Sequence, residues 1–539
     1  MKKLSIFIFF LSQFINAQNR PKLVVGIVID QMRMEYLYRF QNDFGDNGFK
    51  KIMKNGFTFH NAHYNYMPTY TAPGHASIYT GTTPSVHGIV GNEWYSRSLA
   101  KERYCTDDES VAILGNGTKE EGAMSPKNLK ATTITDELKM GTNFKGKVIG
   151  MSIKDRGAIL PAGHFADWAF WLSKSGNFIS SSFYGNQLPT WVSDFNKQDK
   201  ALGYINQGWN LLRHEATYNE SETDDSPYEG KLFGVDKPVF PYDLKKMYDK
   251  KGAEVIKYTP HGNSLLAEFA KQAVVSERLG KDNDTDFLAV SFSSTDYIGH
   301  VIGPRSMELQ DTYLRLDETL ADFFAFLDKE VGKGNYMLFI TADHACAENG
   351  QFLHNHKYDV TNLDTKELRK NVEKFSQDTF GEDLVLNYSN FNVFLDKSKI
   401  KAKNLDFQTV EKSFSDYLES QNYVKQVYNE DEILHASCND FYLNLIANGY
   451  DVKENGNLVV LDQPGYIEYS ATGTTHGSPY AYDTHAPLLF YGWNIKKGES
   501  HEKRYITQIA PTIAQKISIT FPNGSQCEIL PELFIKIKN

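Results

Sequence analysis

Four stretches of the chain are apolar at almost every position, and each leads into a charged residue. Residues 23–29 run Leu-Val-Val-Gly-Ile-Val-Ile and stop at Asp30, and residues 148–153, 287–293 and 336–342 repeat that texture ahead of Lys154, Asp296 and Asp343. Continuous apolarity, as opposed to alternation, marks a strand covered on both faces, which is the condition of strands in a parallel sheet packed between helices. Helix-like spacing over 34–55, 263–279 and 308–330 supplies the covering layers. The pattern predicts an α/β fold, with a mostly parallel central β-sheet flanked by helices on both faces. In such sheets ligands bind beyond the carboxyl ends of the strands, so the four charged residues are expected along one edge.

Two segments break the rhythm. Across 157–262, Trp168, Trp171, Trp191 and Trp209 stand among Gly, Asn, Ser and Tyr, which reads as an aromatic-rich insertion capping the site. Across 364–459 short helical and strand-like pieces alternate with many charges, which reads as a small mixed α/β insertion. Ahead of the first strand, Met1-Lys2-Lys3, an apolar run over 4–14 and Ile15-Asn16-Ala17 describe a cleaved secretory signal peptide at 1–17, leaving 18–539 as the mature domain. The run is shorter than the ~20 residues a membrane span needs. With no cysteine after it to take a lipid, the mature chain is expected to be periplasmic or secreted, away from the membrane.

Charge and cysteines narrow the classes further. Fifty-seven Lys and Arg against 67 Asp and Glu give a net charge of -10, which argues against nucleic acid or an acidic membrane as a partner. Cys105, Cys346, Cys438 and Cys527 show no metal spacing. Three disulfide pairings stay open, as do free thiols.

One hydroxyl stands out, in Thr69-Tyr70-Thr71-Ala72-Pro73-Gly74-His75. Pro73 suits the first position of a helix and biases Ala72 away from helical angles. The Thr71 hydroxyl is then expected just outside the helix start, beside free N–H groups and the positive end of the dipole, where phosphate is held. An ordinary capped helix has the same signature, so the choice depends on partners, since threonine needs a base or a metal to act as a nucleophile.

Partners are present. Asp296 and His300, four apart, share one face of a helical turn; Asp343-His344 closes a strand; His476 sits between glycines that leave room for an ion. Asn92 ends a glycine-punctuated loop, and Lys154 and Arg156 point the same way if the backbone there is extended, forming a clamp for phosphoryl oxygens. Singly these signals are weak: a surface turn accounts equally well for Asn92, a solvated turn is the ordinary reading of Lys154 and Arg156, and D-x-x-x-H alone is a common pattern. Together, aspartates and histidines in this number suit zinc, and a pair of ions ~4 Å apart can stabilise both the attacking and the leaving oxygen of an in-line displacement.

The ordered set Asp30, Thr71, Asn92, Lys154-Asp155-Arg156, Asp296-x-x-x-His300, Asp343-His344 and His476 resembles the alkaline phosphatase superfamily, most closely the PafA-type monomeric alkaline phosphatases, over about residues 23–492. The resemblance implies that fold and two Zn2+ per chain, one on Asp296, His300 and His476 and the other on Asp30, Thr71, Asp343 and His344. It implies Thr71 as the nucleophile forming a phosphothreonine, with Asn92, Lys154 and Arg156 on the phosphoryl oxygens, in a monomer that hydrolyses small-molecule phosphate monoesters. His485 is expected to support His476. Thr-Ala-Pro-Gly-His lacks the C/S-x-P-x-R pattern of the sulfatases, and a threonine departs from the serine and manganese of the related phosphoglycerate mutases. The nucleotide pyrophosphatase/phosphodiesterase branch shares the Thr, the Asn and the six Asp and His ligands. Lys154 and Arg156 favour the monoesterase, because they add positive charge where a monoester dianion has a negative charge that a diester lacks. Outside enzymes, the alternative is a metal-dependent protein that binds phosphorylated ligands.

Overall fold

The computed structural model describes residues 20–437 and 439–534, so the signal peptide expected at 1–17 and Cys438 lie outside the described residues. Its centre is an eleven-stranded sheet. In chain order the strands are β1 (Leu23–Ile29), β2 (Phe57–His63), β3 (Ile113–Leu114), β4 (Val148–Ser152), β5 (Trp168–Leu172), β6 (Phe178–Ser181), β7 (Asp286–Phe292), β8 (Tyr336–Thr341), β9 (His485–Gly492), β10 (Gly498–Ser500) and β11 (Arg504–Tyr505). Across the sheet they lie in the order β10-β2-β9-β8-β1-β7-β4-β5-β6-β3, with β11 beside β2. The middle, β8 to β5, is parallel, and antiparallel β9 and β6 flank it. Every residue of β1, β4, β7 and β8 is buried, as continuous apolarity requires of strands with helices on both faces.

Register then decides where the charges go. Val28 pairs with Thr341 on one side and Ser291 on the other, and Ser291 pairs with Ser152. These four residues form one row across the sheet. Two positions further along the chain come Asp30, Asp343, Ser293 and Lys154, and an extended chain returns to the same face after two residues. One edge therefore receives two carboxylates and an ammonium from neighbouring strands.

Two stretches differ from the sequence reading. Residues 34–55 form two short helices, Tyr36–Arg39 and Phe49–Asn55, because Asp317 of the long helix Met307–Leu327 accepts the N–H groups of Gly45 and Phe49 at 2.8 and 2.7 Å and holds the chain open between them. Within 157–262, β5 and β6 belong to the central sheet itself. Their aromatic residues are core, with Phe178 stacked on Phe269 at 3.8 Å between ring centroids. Residues after about 364 build a separate four-stranded sheet, in the order Val385–Ser389, Asn392–Leu395, Leu458–Asp462, Val424–Asn429. Helices Thr365–Phe380 and Phe407–Glu419 pack on it around Val372, Val393, Phe414 and Leu458. Cys105 and Cys346 are buried free thiols and Cys527 an exposed one.

The helix Met307–Leu327 also buries an acid. Tyr242 donates to Glu308 Oε1 at 2.6 Å, burial pushes Glu308 up to about 8, and burial together with the charge of Glu308 pushes Glu229 up to about 9. Both are protonated in the folded chain at pH values where unfolded glutamates, near ~4.3, are ionised. Folding thus binds protons, and the stability present below the unfolded value is lost as pH rises through the folded one. Glu308→Gln is expected to stabilise the chain by about 2 kcal/mol at about pH 9 and by much less at about pH 5. Thermal unfolding at the two pH values checks this, and an equal shift at both contradicts it.

Candidate metal and nucleophile site

Helix Thr71–Thr80 is buried along its whole length. Thr71 is its first residue, and the extended N-cap Tyr70 accepts the Gly74 N–H at 2.9 Å. The hydroxyl therefore sits inside the first turn, where the sequence placed it just outside. Pro73 is tolerated there because N–H groups of the first turn have no helical partner to lose. A Cβ on Gly74 would run into the backbone carbonyl of Asp343. That bare position lets the helix dock against the strand end that bears Asp343 and His344.

Three imidazoles converge on one carboxylate. Asp296 and His300 lie on helix Ser294–Val301, and His300 Nε2 is 3.2 Å from Asp296 Oδ1. His476 Nε2 and His344 Nε2 approach the same oxygen at 3.7 and 3.9 Å. Each ring has its other nitrogen on a backbone carbonyl: His300 Nδ1 on Thr474 at 2.9 Å, His344 Nδ1 on Ala345 at 2.9 Å, His476 Nδ1 on Thr69 at 2.7 Å. Those bonds fix the tautomers with Nδ1–H outward and an Nε2 lone pair inward, the arrangement of a metal-binding histidine. His344 Nε2 is also 3.2 Å from Asp343 Oδ2 and 3.4 Å from Thr71 Oγ1, so it joins the Thr71 hydroxyl to the same cluster. Burial, and then the neighbouring His344 and His300, push the His476 pKa well below its ordinary value. Burial works the other way on Asp296, but His300 and Lys154 hold its carboxyl well below the usual range.

Lys154 reaches into this cluster. Its ammonium donates to Asp296 Oδ2 at 2.6 Å and lies 3.1 Å from Asp30 Oδ2, bridging the aspartates expected on the two different ions. Arg156 is positioned differently from expectation. Lys154 is extended, but Asp155 opens helix Asp155–Ala162, so Arg156 belongs to a first helical turn. There its Nη1 donates to Tyr104 Oη at 2.9 Å, and its Nε is buried without a partner. Asn92 Oδ1 accepts the free Ala72 N–H at 2.8 Å, which ties it to the helix start beside Thr71. His485 is turned elsewhere: it opens β9, stacks on His63 at 4.7 Å and bonds the His60 carbonyl. Pairing of His485 with His63 across β9 and β2 determines that direction.

Three residues near the site escaped the sequence reading. His75, one turn beyond Thr71 on the same helix, bonds the Thr71 carbonyl and Ser291 Oγ, each at 2.9 Å. Ser291 in turn donates to Asp30 Oδ1 at 2.8 Å, and as a lone hydroxyl in an apolar strand it was visible. Gln31 takes left-handed backbone, φ 63°, and its side-chain amide donates to Asp296 Oδ1 at 3.1 Å. Its path needs Gly299, where a Cβ would overlap the Gln31 amide.

Buried acids and histidines fall into two close groups here, Asp296 with His344 and His476, and Asp30 with His75 and Asp343. In the second group both nitrogens of His75 are already engaged, so His344, with Nε2 3.2 Å from Asp343 Oδ2, is the imidazole able to serve a metal there. Asp343 Oδ2 is buried, accepts no hydrogen bond and lies 3.2 Å from His344 Nε2, while the buried Asp30 Oδ2 has only the Lys154 ammonium beside it, at 3.1 Å. Buried carboxylate oxygens this sparsely satisfied, next to an imidazole lone pair, are an N/O donor set that fits zinc.

The sequence profile of the type I phosphodiesterase / nucleotide pyrophosphatase family matches residues 24–486. The chain is similar to alkaline phosphatase PafA of Elizabethkingia meningoseptica, 43% identical over 95% of this chain and 94% of that one. It is similar to alkaline phosphatase PhoV of Synechococcus elongatus at 44%, over 95% of this chain and 93% of that one. A Myroides odoratus protein named a calcium-transporting ATPase is 45% identical, over 94% and 93%. No helix among the described residues is long and apolar enough to cross a membrane. A crystal structure of wild-type PafA matches with a TM-score of 0.92 at 43% identity, covering 95% of this chain and 99% of that one. In a further structure, that enzyme is substituted at a threonine, an asparagine, a lysine and an arginine, whose order and spacing are those of Thr71, Asn92, Lys154 and Arg156.

Docking through Gly74 is open to test. Gly74→Ala is expected to cost about 1–3 kcal/mol of stability through overpacking and to lower bound metal with it. Gly203→Ala, where a Cβ meets nothing within 4 Å, is expected to leave bound metal unchanged. Thermal unfolding with elemental analysis of both variants checks this, and the same metal content in the two contradicts it.

Proposed function

The chain belongs to the type I phosphodiesterase / nucleotide pyrophosphatase family and, within the alkaline phosphatase superfamily, to the PafA-type alkaline phosphatases, and from that premise we propose that it hydrolyses phosphate monoesters through a phosphothreonine on Thr71, with two zinc ions. The observation that carries this reading is the convergence of His300, His344 and His476 Nε2 within 3.9 Å of Asp296 Oδ1, with Thr71 Oγ1 3.4 Å from His344. Asp296, His300 and His476 would hold one ion, and Asp30, Thr71, Asp343 and His344 the other. When bound, the ions supply Lewis acidity that lowers the Thr71 pKa and offsets charge on the attacking and leaving oxygens.

The protein's own groups do the rest. Thr71 Oγ1 attacks phosphorus, the ester P–O bond breaks and the alcohol leaves. Water then cleaves the phosphothreonine, which releases inorganic phosphate and restores the hydroxyl. The first-turn N–H groups of helix Thr71–Thr80 and its dipole favour the negative phosphoryl group in that position. Asn92, held by Ala72 N–H, is placed to donate to a phosphoryl oxygen through its amide nitrogen. Lys154 and Arg156 add charge for the third non-bridging oxygen, which is anionic in a monoester and esterified in a diester. The family profile also covers phosphodiesterases, and this clamp is the feature that favours the monoesterase over them. The leader-like N-terminus supports export, and we propose that the chain acts as a monomer on small phosphate esters.

Chelation and Thr71→Ala are each expected to abolish turnover of an aryl phosphate. In the Lys154→Ala/Arg156→Ala double variant, kcat/KM for the monoester is expected to fall by about 10²–10³ or more, and for a matched methyl aryl diester by less than about tenfold. A wild type that prefers the diester, with a double variant that loses both substrates equally, makes the protein a phosphodiesterase.

A further inference from the structure

Beside the site lies a cavity of about 230 Å³ bounded on one side by Tyr70 and His476 and on the other by the separate four-stranded sheet and the chain that follows it. Tyr70 precedes the nucleophile, and its ring centroid is 5.6 Å from that of His476. Three carboxyl groups line the cavity, Asp462, Glu468 and Asp483, together with the rings of Tyr70, Phe391 and Tyr480, and no lysine or arginine is among its lining residues.

The acceptors there are under-used. Asp462 is only 5% exposed, and neither of its carboxylate oxygens has a hydrogen-bond partner. Asp483 Oδ2 takes the Ser478 N–H and hydroxyl, but its Oδ1 is buried and unpartnered. Glu468 has one donor, the Tyr388 hydroxyl at 3.0 Å. Burial pushes Glu468 up to about 7, and burial with the nearby Glu468 raises Asp462 well above the usual carboxylate range. An anion has no place in this cavity. A group with several N–H donors and a positive charge satisfies the free oxygens and can rest against the ring faces.

We infer that this cavity is a leaving-group pocket for an alkylammonium, so that the enzyme prefers phosphate monoesters of amino alcohols. The inference rests on the phosphomonoesterase reading of the same site. There His476 belongs to the ligand set on the leaving-oxygen side, and a short alkyl chain from that oxygen leads past His476 toward Asp462 and Glu468.

The test uses the full-length, metal-loaded enzyme and compares kcat/KM for 3-aminopropyl phosphate with that for n-butyl phosphate, its uncharged near-isostere. A charge-assisted contact corresponds to a preference of about tenfold or more for the amine. The ratio is expected to fall toward one in Asp462→Asn and in Asp462→Asn/Glu468→Gln, with the single variant serving if the double does not fold. Calorimetric titration with 3-aminopropylphosphonate against n-butylphosphonate, which the enzyme does not cleave, is expected to show the same ratio in affinity and the same loss. A wild-type ratio of one or less, or a ratio unchanged in the variants, overturns the pocket while turnover of an aryl phosphate leaves the monoesterase reading intact. Absence of aryl phosphate turnover overturns both.

Discussion

Asp30, Asp296 and Asp343 are almost fully buried at one edge of the sheet, and the crowding of those carboxylates is the constraint on which the rest of the site depends. Removing an ion from water costs several kcal/mol even after relaxation, so positive charge must come with each. Lys154 serves two of the three, at 2.6 Å from Asp296 and 3.1 Å from Asp30. Asp30 Oδ1 takes the Ser291 hydroxyl and Asp343 Oδ1 the Gln31 N–H, while Asp296 Oδ1 and Asp343 Oδ2 face imidazole nitrogens whose rings commit their protons to backbone carbonyls on the far side. In the proposed enzyme, metal ions complete that balance, and the nucleophile is placed where the balance is tightest.

Much of this was legible in the chain itself. The apolar runs ending at Asp30, Lys154, Asp296 and Asp343 are parallel strands or lead directly out of them, because only a strand covered on both faces tolerates a run without polar breaks. The four-residue spacing of Asp296 and His300 could be read because a helix places i and i+4 on one face. What escaped depended on backbone direction and on tertiary docking. Thr71 lies inside its helix because Pro73 fits the first turn, Arg156 is helical because Asp155 starts a helix, and Gln31 turns inward only through left-handed backbone against Gly299. Likewise β5 was hidden in a tryptophan-rich segment, since aromatic residues suit a buried strand and a cap equally well.

Selectivity belongs to a different layer from the metal cluster. The ligands on strand ends and first helical turns are compatible with monoester and diester chemistry alike, as the breadth of the family profile reflects. In the proposed monoesterase, Lys154 and Arg156 discriminate by charge at the phosphoryl group. The four-stranded unit and the chain after it bring carboxyl groups and aromatic rings up against Tyr70 and His476, so in the proposed leaving-group pocket a segment remote from Thr71 in sequence shapes what can leave.

Division of the proposed ligands between two ions can be read from anomalous X-ray scattering at the zinc edge in crystals of the metal-loaded enzyme. Two peaks about 4 Å apart are expected, the first within ~2.0–2.2 Å of Asp296, His300 and His476 and the second at the same range from Asp30, Thr71, Asp343 and His344. A single peak, or a second peak ligated by His75 in place of His344, contradicts that division.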